Sequence, residues 1–243
     1  MNLIILISTL FFICFKSASS DLTEAQQKEI LDAHNKYRAL VASGKVPKQP
    51  TAANMLKMKW NSESATKAQK TANICKFSHD TVTDRKYGKF EWVGQNIALF
   101  SDSNVVKGVE MWYKENSVYI FSNNSCSLKT CGHFTQVLWA DSQELGCGAS
   151  NCKYLKRNVI LLVCNYGPGG NFNKQSPYIS GPACSKCPSG TKCANSLCMI
   201  HSKIACLAFH NKKRKQMQQK IEQVNHQKGK IYKLVIIVCR IHE

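Results

Sequence analysis

The sequence predicts an α+β domain in which helices pack on both faces of an antiparallel sheet. Segments with helical spacing of apolar residues occupy the first half of the chain. Short runs rich in β-forming residues follow in the second half, at residues 134–139, 145–149 and 159–166. Early helices followed by late strands are typical of α+β folds, whereas α/β folds alternate the two. A short cysteine-rich segment then follows, and it is expected to depend on disulfides because it has few apolar residues to bury.

Helical spacing is clear in the segment that follows Thr23. Thr23 and Gln26 form a capping-box pattern, which marks the start of a helix. Five residues then recur at the intervals of one helix face, namely Ile30, Ala33, His34, Tyr37 and Val41. The helix is expected to end near Gly44, because residues 44–50 contain two prolines and a glycine and should form a loop.

Two more helices are predicted further along the chain. One follows Trp60 and should present a face of small residues that lets a sheet approach closely, made of Ala65, Ala68, Ala72 and Cys75. The next is expected to have Asn104 as its N-cap, to turn Trp112 inward and to carry Glu115 near its end.

The start of the chain predicts export. Residues 3–15 form an apolar run that is too short to span a bilayer, and Ala18 and Ser20 precede Asp21 as small residues at a cleavage site. Residues 1–20 are therefore interpreted as a signal peptide. Twelve of the thirteen cysteines remain after Cys14 is removed, and an even number in an exported chain indicates disulfides. The protein is predicted to be extracellular, without a transmembrane segment.

The positive charge is concentrated at the end of the chain. The formal net charge is +18, and residues 199–243 contain ten Lys or Arg against two Glu. This basic tail is either a disordered extension or an artefact of gene prediction. In a secreted, disulfide-bonded chain, nucleic acid is an unsuitable partner, and anionic glycans or lipid head groups suit the basic tail better.

Two sequence runs resemble a known family. The runs GHFTQVLW (132–139) and LLVCNYGPGGNF (161–172) are similar to the two signatures of the CAP superfamily, which comprises cysteine-rich secretory, antigen 5 and pathogenesis-related 1 proteins. The similarity extends over roughly residues 22–198. It implies a three-layer α-β-α sandwich in residues 21–175, followed by a cysteine-rich hinge in residues 176–198.

The resemblance also implies the disulfide pairing. In the main domain the implied pairs are Cys75–Cys152, Cys147–Cys164 and Cys126–Cys131. In the hinge they are Cys184–Cys193 and Cys187–Cys198. Loss of any one bridge is expected to cost about 2 to 5 kcal/mol of stability.

The family's functional site contains two histidines and two acids. The resemblance places His79, Glu115 and His133 at three of these positions. Many members have Glu at the fourth position, where this chain has Gln95. The surrounding Gly-Gln-Asn-Ile-Ala run resembles venom-allergen-like members. Gln95 removes one negative charge and one potential base.

This residue set permits more than one role. Two neutral imidazoles and a carboxylate can coordinate a divalent cation such as zinc, with the Gln95 carboxamide oxygen as a weak additional ligand. Alternatively, His79 and His133 are hydrogen-bonded residues that organise the site. A metal-bound water with Glu115 or a histidine as base would in principle cleave an amide. No serine or cysteine lies in a recognisable nucleophile motif, so the protein is predicted not to be an enzyme.

The loop after the third predicted helix contains Tyr119 and Phe121. The corresponding loop of sterol-exporting family members is aromatic-rich, so these residues are candidates for binding a lipid or sterol. The alternative is that both aromatics complete the core. Asn123 begins an N-glycosylation sequon, which indicates an exposed loop.

These observations predict a secreted, non-enzymatic, venom-allergen-like CAP protein that binds an extracellular lipid, a sterol or a target protein. A metal-dependent extracellular protease is the alternative. A channel-modulating toxin is a third hypothesis. It is disfavoured because such family members follow the hinge with a second cysteine-rich module, whereas only Cys206 and Cys239 remain here.

Overall fold

The computed structural model describes residues 22–128, 130–173 and 175–200. The predicted signal peptide and residues 201–243 of the predicted tail lie outside the described residues. The helices are Glu24–Ala42 (α1), Ser62–Asn73 (α2), Val82–Arg85 (α3), Val106–Lys114 (α4) and Gly132–Val137 (α5). The strands are Lys59–Trp60 (β1), Gly94–Phe100 (β2), Tyr119–Ile120 (β3), Ser125–Cys126 (β4), Glu144–Tyr154 (β5), Arg157–Gly167 (β6), Thr191–Ala194 (β7) and Leu197–Ile200 (β8). None of the described helices is long and apolar enough to cross a lipid bilayer.

The central sheet has four strands in the order β1-β5-β6-β2. Strands β5 and β6 form a long antiparallel hairpin, and β2 runs antiparallel to β6. The two-residue β1 is parallel to β5. The predicted α+β class and antiparallel sheet are therefore confirmed for the three long strands, and β1 is the parallel exception.

Helix α2 covers one face of the sheet at close range. Of the predicted face of small residues, Ala68 and Ala72 are fully buried against the sheet and Ala65 is half-buried. Cys75 does not belong to this face, because α2 ends at Asn73 and Cys75 is exposed. Strand β5 contributes to this close packing, because a Cβ added to its Gly146 or Gly148 would lie 2.3 Å from backbone atoms of α2. Glycine at both positions therefore lets the helix and strand backbones approach.

Helices α1, α4 and α5 pack on the opposite face, around the main core. Arg38 of α1 is fully buried there, and burial lowers the pKa of its guanidinium to about 9, so it stays charged at neutral pH. The guanidinium donates hydrogen bonds of 2.6–3.2 Å to the carbonyl oxygens of Leu56, Val137, Trp139, Ala140 and Ser142. Arg38 therefore joins the segment at Leu56 and the segment 137–142 to helix α1.

One predicted strand is wrong. Residues 134–139 were expected to be extended, but residues 132–137 form α5. Phe134, Val137 and Leu138 are all fully buried. Their spacing is that of one helix face, which so short a run of β-forming residues does not distinguish from a strand. Conversely, strand β2 was not predicted from the sequence.

Helix α4 begins slightly later than predicted. Asn104 does not occupy the N-cap, although its Oδ1 accepts a hydrogen bond of 3.0 Å from the Val106 backbone nitrogen. The helix ends at Lys114, and Glu115 begins a 3-10 turn that continues to Ser117. This turn places Glu115 beside the start of α5.

Five disulfides join the described part of the chain. They are Cys75–Cys152, Cys126–Cys131, Cys147–Cys164, Cys184–Cys193 and Cys187–Cys198, the pairs that the family resemblance implies. The cysteine-rich segment ends in the β7–β8 hairpin, and it docks on the main domain. There the Cys198 backbone nitrogen donates to the Met55 carbonyl at 2.8 Å, and the Lys57 nitrogen donates to the Cys198 carbonyl at 2.9 Å.

Candidate functional site

Glu115 caps helix α5 from another part of the chain. Its Oε2 accepts hydrogen bonds from the backbone nitrogens of His133 at 3.1 Å and Phe134 at 3.0 Å. The residue before the helix, Cys131, provides no side-chain cap. Because the first backbone N–H groups of a helix lack partners within it and carry partial positive charge, a carboxylate is well suited to this position.

The His133 ring is held by the same carboxylate. Its Nδ1 lies 2.7 Å from Glu115 Oε1, and its ring stacks on Trp112 with centroids 6.2 Å apart. A carboxylate accepts hydrogen bonds and does not donate them, so Nδ1 carries the proton of the neutral ring. The Nε2 atom then has a free lone pair, and the His133 side chain is 32% exposed.

His79 is arranged in the same way by Gln95. The His79 Nδ1 lies 2.8 Å from Gln95 Oε1, which can only accept. Gln95 Nε2 donates to Asn165 Oδ1 at 2.9 Å, across the β2–β6 register pair that joins these two residues. Asn165 Nδ2 is buried and has no hydrogen-bond partner among the described residues. In the neutral form of the exposed His79 ring, Nε2 therefore also has a free lone pair.

A buried polar chain supports the site from behind. His34 Nδ1 donates to the Ile30 carbonyl at 2.8 Å, so its Nε2 accepts from the Tyr166 hydroxyl at 2.9 Å. Asn96 Nδ2 donates both to the Tyr166 oxygen at 3.2 Å and to the His133 carbonyl at 3.0 Å. These bonds fix the backbone that carries His133.

The sequence did not indicate that these buried hydrogen-bonded residues support the site. Tyr166 lies inside the second quoted family run and Asn96 lies in the Gly-Gln-Asn-Ile-Ala run, but nothing local in either run indicates that the two residues bond to each other. His34 was expected only as one position of the first helix face. Its burial lowers the pKa of the imidazole to about 4, which keeps the ring neutral.

The four predicted site residues form two pairs, His79 with Gln95 and His133 with Glu115. The ligand atoms of His79, Glu115 and His133 do not gather into a group within 4.8 Å, whereas another trio in the described part of the chain does. Both Glu115 oxygens and both Gln95 polar atoms are engaged in hydrogen bonds. The geometry thus gives Glu115 and Gln95 the task of orienting the two imidazoles.

The trio within 4.8 Å is made of sulfur atoms in the cysteine-rich segment, from Cys184, Cys187 and Cys198. Each of these sulfurs belongs to a disulfide. A metal is bound by the thiolate form of cysteine, which a disulfide does not provide. This cluster is therefore structural.

The structure places Tyr119 in the core. Its side chain is 4% exposed and lies against Phe134, with ring centroids 5.7 Å apart. Burial raises the pKa of its phenol to about 12. Phe121 is half-buried and packs on Tyr178 at 4.7 Å between centroids. A ligand would reach Tyr119 only after the core had opened, whereas Phe121 keeps part of its ring at the surface. Lipid binding by this loop remains a prediction.

The sequon in the same loop is accessible. Asn123 is exposed, and its Oδ1 accepts a hydrogen bond of 2.7 Å from Ser125, the third residue of the sequon. Glycosylation of Asn123 remains a prediction.

The described residues contain no assembled nucleophile of the cysteine or serine type. All ten cysteines between residues 22 and 200 are in disulfides. In the same part of the chain, the ring nitrogens of His34, His79 and His133 bond to Ile30, Tyr166, Gln95 and Glu115, and none of these partners is a serine hydroxyl.

Two relatives illustrate the similarity to known proteins. Peptidase inhibitor 16 of Mus musculus is 38% identical over 184 residues, which cover 73% of this chain and 34% of that protein. GLIPR1-like protein 1 of Homo sapiens is 40% identical over 174 residues, which cover 69% of each chain. The chain thus spans about a third of the length of peptidase inhibitor 16.

Two solved structures of CAP-type proteins are also similar to this chain. Schistosoma mansoni venom allergen-like protein 4 is 35% identical with a TM-score of 0.59, covering 66% of this chain and 97% of that one. NaASP2 with Zn²⁺ is 28% identical with a TM-score of 0.63, and the match covers 76% of this chain and 99% of that one. The model of the cysteine-rich secretory protein family, CAP, matches residues 31–166, which is more than half of the chain. The chain therefore belongs to the CAP family and is similar to its venom allergen-like members.

Proposed function

We propose that this protein is a secreted, non-enzymatic binding protein whose site holds a divalent cation, such as zinc, through Nε2 of His79 and Nε2 of His133. One observation supports this proposal above all others. Both rings bond through Nδ1 to an atom that only accepts hydrogen bonds, so both Nε2 atoms are free to coordinate.

The donor set fits such a cation. Imidazole nitrogen is a common zinc ligand, and metal-bound histidines usually donate their other N–H to a carboxylate or carbonyl. Glu115 and Gln95 are partners of this kind. The similar protein NaASP2 has a crystal structure with Zn²⁺, which supports the choice of metal. When bound, the cation would offer open coordination positions to oxygen atoms of a ligand.

Several observations favour binding over catalysis. The Glu115 carboxylate accepts three hydrogen bonds that hold α5 and His133, so it is occupied as a structural acceptor and is not poised as a general base. Gln95 has replaced the second acid and has no titratable group. The relative peptidase inhibitor 16 is also named as an inhibitor and not as a peptidase.

The proposed ligand is an extracellular lipid or sterol, and a target protein is the alternative. Two cavities, of about 460 Å³ and about 500 Å³, flank the start of α1 and share Leu22. Small-molecule sites usually measure about 300 to 1,000 Å³. The cavity between α1 and α2 is lined by apolar residues, including Trp60 and Ala65, and by polar residues, including Thr66.

The cation site is tested by calorimetric titration of the full secreted chain with zinc. The His79→Ala/His133→Ala double variant should lose one binding event. Both proteins keep five further histidines, so the difference between the two titrations is the quantity that tests the site. These histidines are His34, His201, His210, His226 and His242. Identical titrations would contradict the proposed site.

The ligand is tested by mass spectrometry of lipids that co-purify with the secreted protein. Thr66→Trp should fill the cavity between α1 and α2 and reduce any bound lipid. Thr66→Ala leaves the cavity open and serves as the matched control. Equal lipid recovery from both variants would exclude this cavity, and an absence of lipid from the parent protein would favour a target protein instead.

A further inference from the structure

The tip of the β5–β6 hairpin and the loop after α2 form one exposed surface. The Cys75–Cys152 disulfide joins them, with Cα atoms 5.5 Å apart across 77 residues of sequence. Tyr154 lies two residues beyond Cys152 and therefore on the same face of β5. We name residues 74–77 and 153–157 the hairpin-tip surface.

Four large apolar side chains of the hairpin-tip surface are open to solvent. They are Ile74 at 64% exposure, Phe77 at 56%, Tyr154 at 48% and Leu155 at 81%. Single exposed apolar residues are ordinary, but a cluster of them on a folded domain marks an interaction site. Leu155 is the most exposed large apolar residue in the described part of the chain.

The turn at this tip does not favour leucine on folding grounds. Tyr154 pairs with Arg157, so the loop consists of Leu155 and Lys156 alone. Their φ angles are +47° and +65°, the left-handed values of a type I′ turn. Asn and Gly are favoured there, and a side chain such as leucine is disfavoured by sterics. Local stability therefore does not explain why the tip carries an apolar residue.

Positive charge surrounds the apolar side chains. Lys76, Lys153, Lys156 and Arg157 are all exposed, and the segments 73–79 and 151–158 contain no Asp or Glu. In the part of the chain that the structure describes, none of these four cations forms a salt bridge. The hairpin-tip surface thus combines protruding apolar groups with four uncompensated charges.

We propose that the hairpin-tip surface docks on an anionic phospholipid bilayer. A bilayer matches both features: apolar side chains enter the boundary between head groups and acyl chains, while lysine and arginine contact the lipid phosphates. Leu155 at the hairpin tip enters deepest, and Phe77 and Tyr154 lie at the level of the head groups. This surface is a site of its own, and it does not depend on cation binding by His79 and His133.

The test is co-sedimentation of the full secreted chain with vesicles at near-physiological salt. Vesicles of phosphatidylcholine with phosphatidylserine should bind the protein, and pure phosphatidylcholine should bind it far less. Leu155→Asn should weaken binding about tenfold, since it withdraws one leucine from the bilayer. The same change should keep or raise the melting temperature, because Asn tolerates positive φ. Leu155→Phe should retain binding.

Matched controls separate this surface from general charge and exposure effects. Leu128→Asn changes another exposed leucine, and Lys45→Glu/Lys48→Glu matches the charge change of Lys153→Glu/Lys156→Glu. The controls should bind like the parent, and the Lys153/Lys156 variant should bind about tenfold more weakly. The basic residues after Met199 are present in every variant, so they cancel in the comparison.

Four outcomes would overturn the proposal. They are no binding of the parent to either vesicle, equal binding to both vesicle types, unchanged binding of Leu155→Asn, and a parent dimer in size-exclusion chromatography that Leu155→Asn converts to a monomer. The last outcome would assign the surface to a second copy of the chain.

Discussion

Acid is expected to destabilise this domain through one buried histidine, His34. The His34 ring is fully buried in α1, and its two nitrogens are already bonded to the Ile30 carbonyl and the Tyr166 hydroxyl. A proton on Nε2 would break the bond from Tyr166 and place a charge in the core. Burial, as the main cause, lowers the pKa of His34 from its usual value of 6.5 to about 4.

The direction of the pH effect follows from proton binding. As pH falls below 6.5, the unfolded chain protonates His34 while the folded chain does not, so the unfolded state gains stability. The contribution of neutral His34 is therefore fully present above pH 6.5 and is lost by about pH 4. Integrated over this interval, the loss is about 3 kcal/mol of the free energy of unfolding.

Urea unfolding of the oxidised protein between pH 7 and pH 4, with a chelator present, measures this loss. His34→Gln should flatten the pH dependence of stability over this interval, although it lowers stability at pH 7. His79→Gln is the matched control and should keep most of the slope, because His34 is intact. Parallel losses of stability in His34→Gln and the parent protein would refute the role of His34.

Three further changes test the core and the site. Arg38→Met should lower the free energy of unfolding, measured with denaturant, by at least about 3 kcal/mol, since five carbonyls lose their donor. Arg38→Lys should recover part of that loss, and a loss below about 1 kcal/mol for Arg38→Met would contradict the structural role of Arg38. Glu115→Gln should cost about 1 to 2 kcal/mol and weaken zinc binding about tenfold, whereas Glu110→Gln, an equal charge change on α4, should leave zinc binding unaltered. Gln95→Glu should tighten zinc binding, because the added negative charge beside His79 makes its Nε2 a stronger ligand; unchanged calorimetric affinity would separate Gln95 from the site.

Elements whose stabilising contacts are local could be predicted from the sequence. The capping box that predicts the start of α1 is present, with Thr23 and Gln26 bonding to each other's backbone. The small residues Ala68 and Ala72 indicated a close approach between helix and sheet, which the structure confirms. Such features depend on neighbours within a few residues, so a pattern of residue types is enough to predict them.

The contacts that orient the site residues could not be predicted from the sequence and are visible in the folded structure. The family resemblance indicated His79, Glu115 and His133. It did not indicate that Glu115, which follows α4, caps the first turn of α5, a segment whose sequence predicts a strand. The orientation of each imidazole likewise depends on a partner 16 or 18 residues away. The hairpin-tip surface requires a disulfide across 77 residues. Contacts of this range arise from packing of the whole chain, and a local pattern of residue types does not specify them.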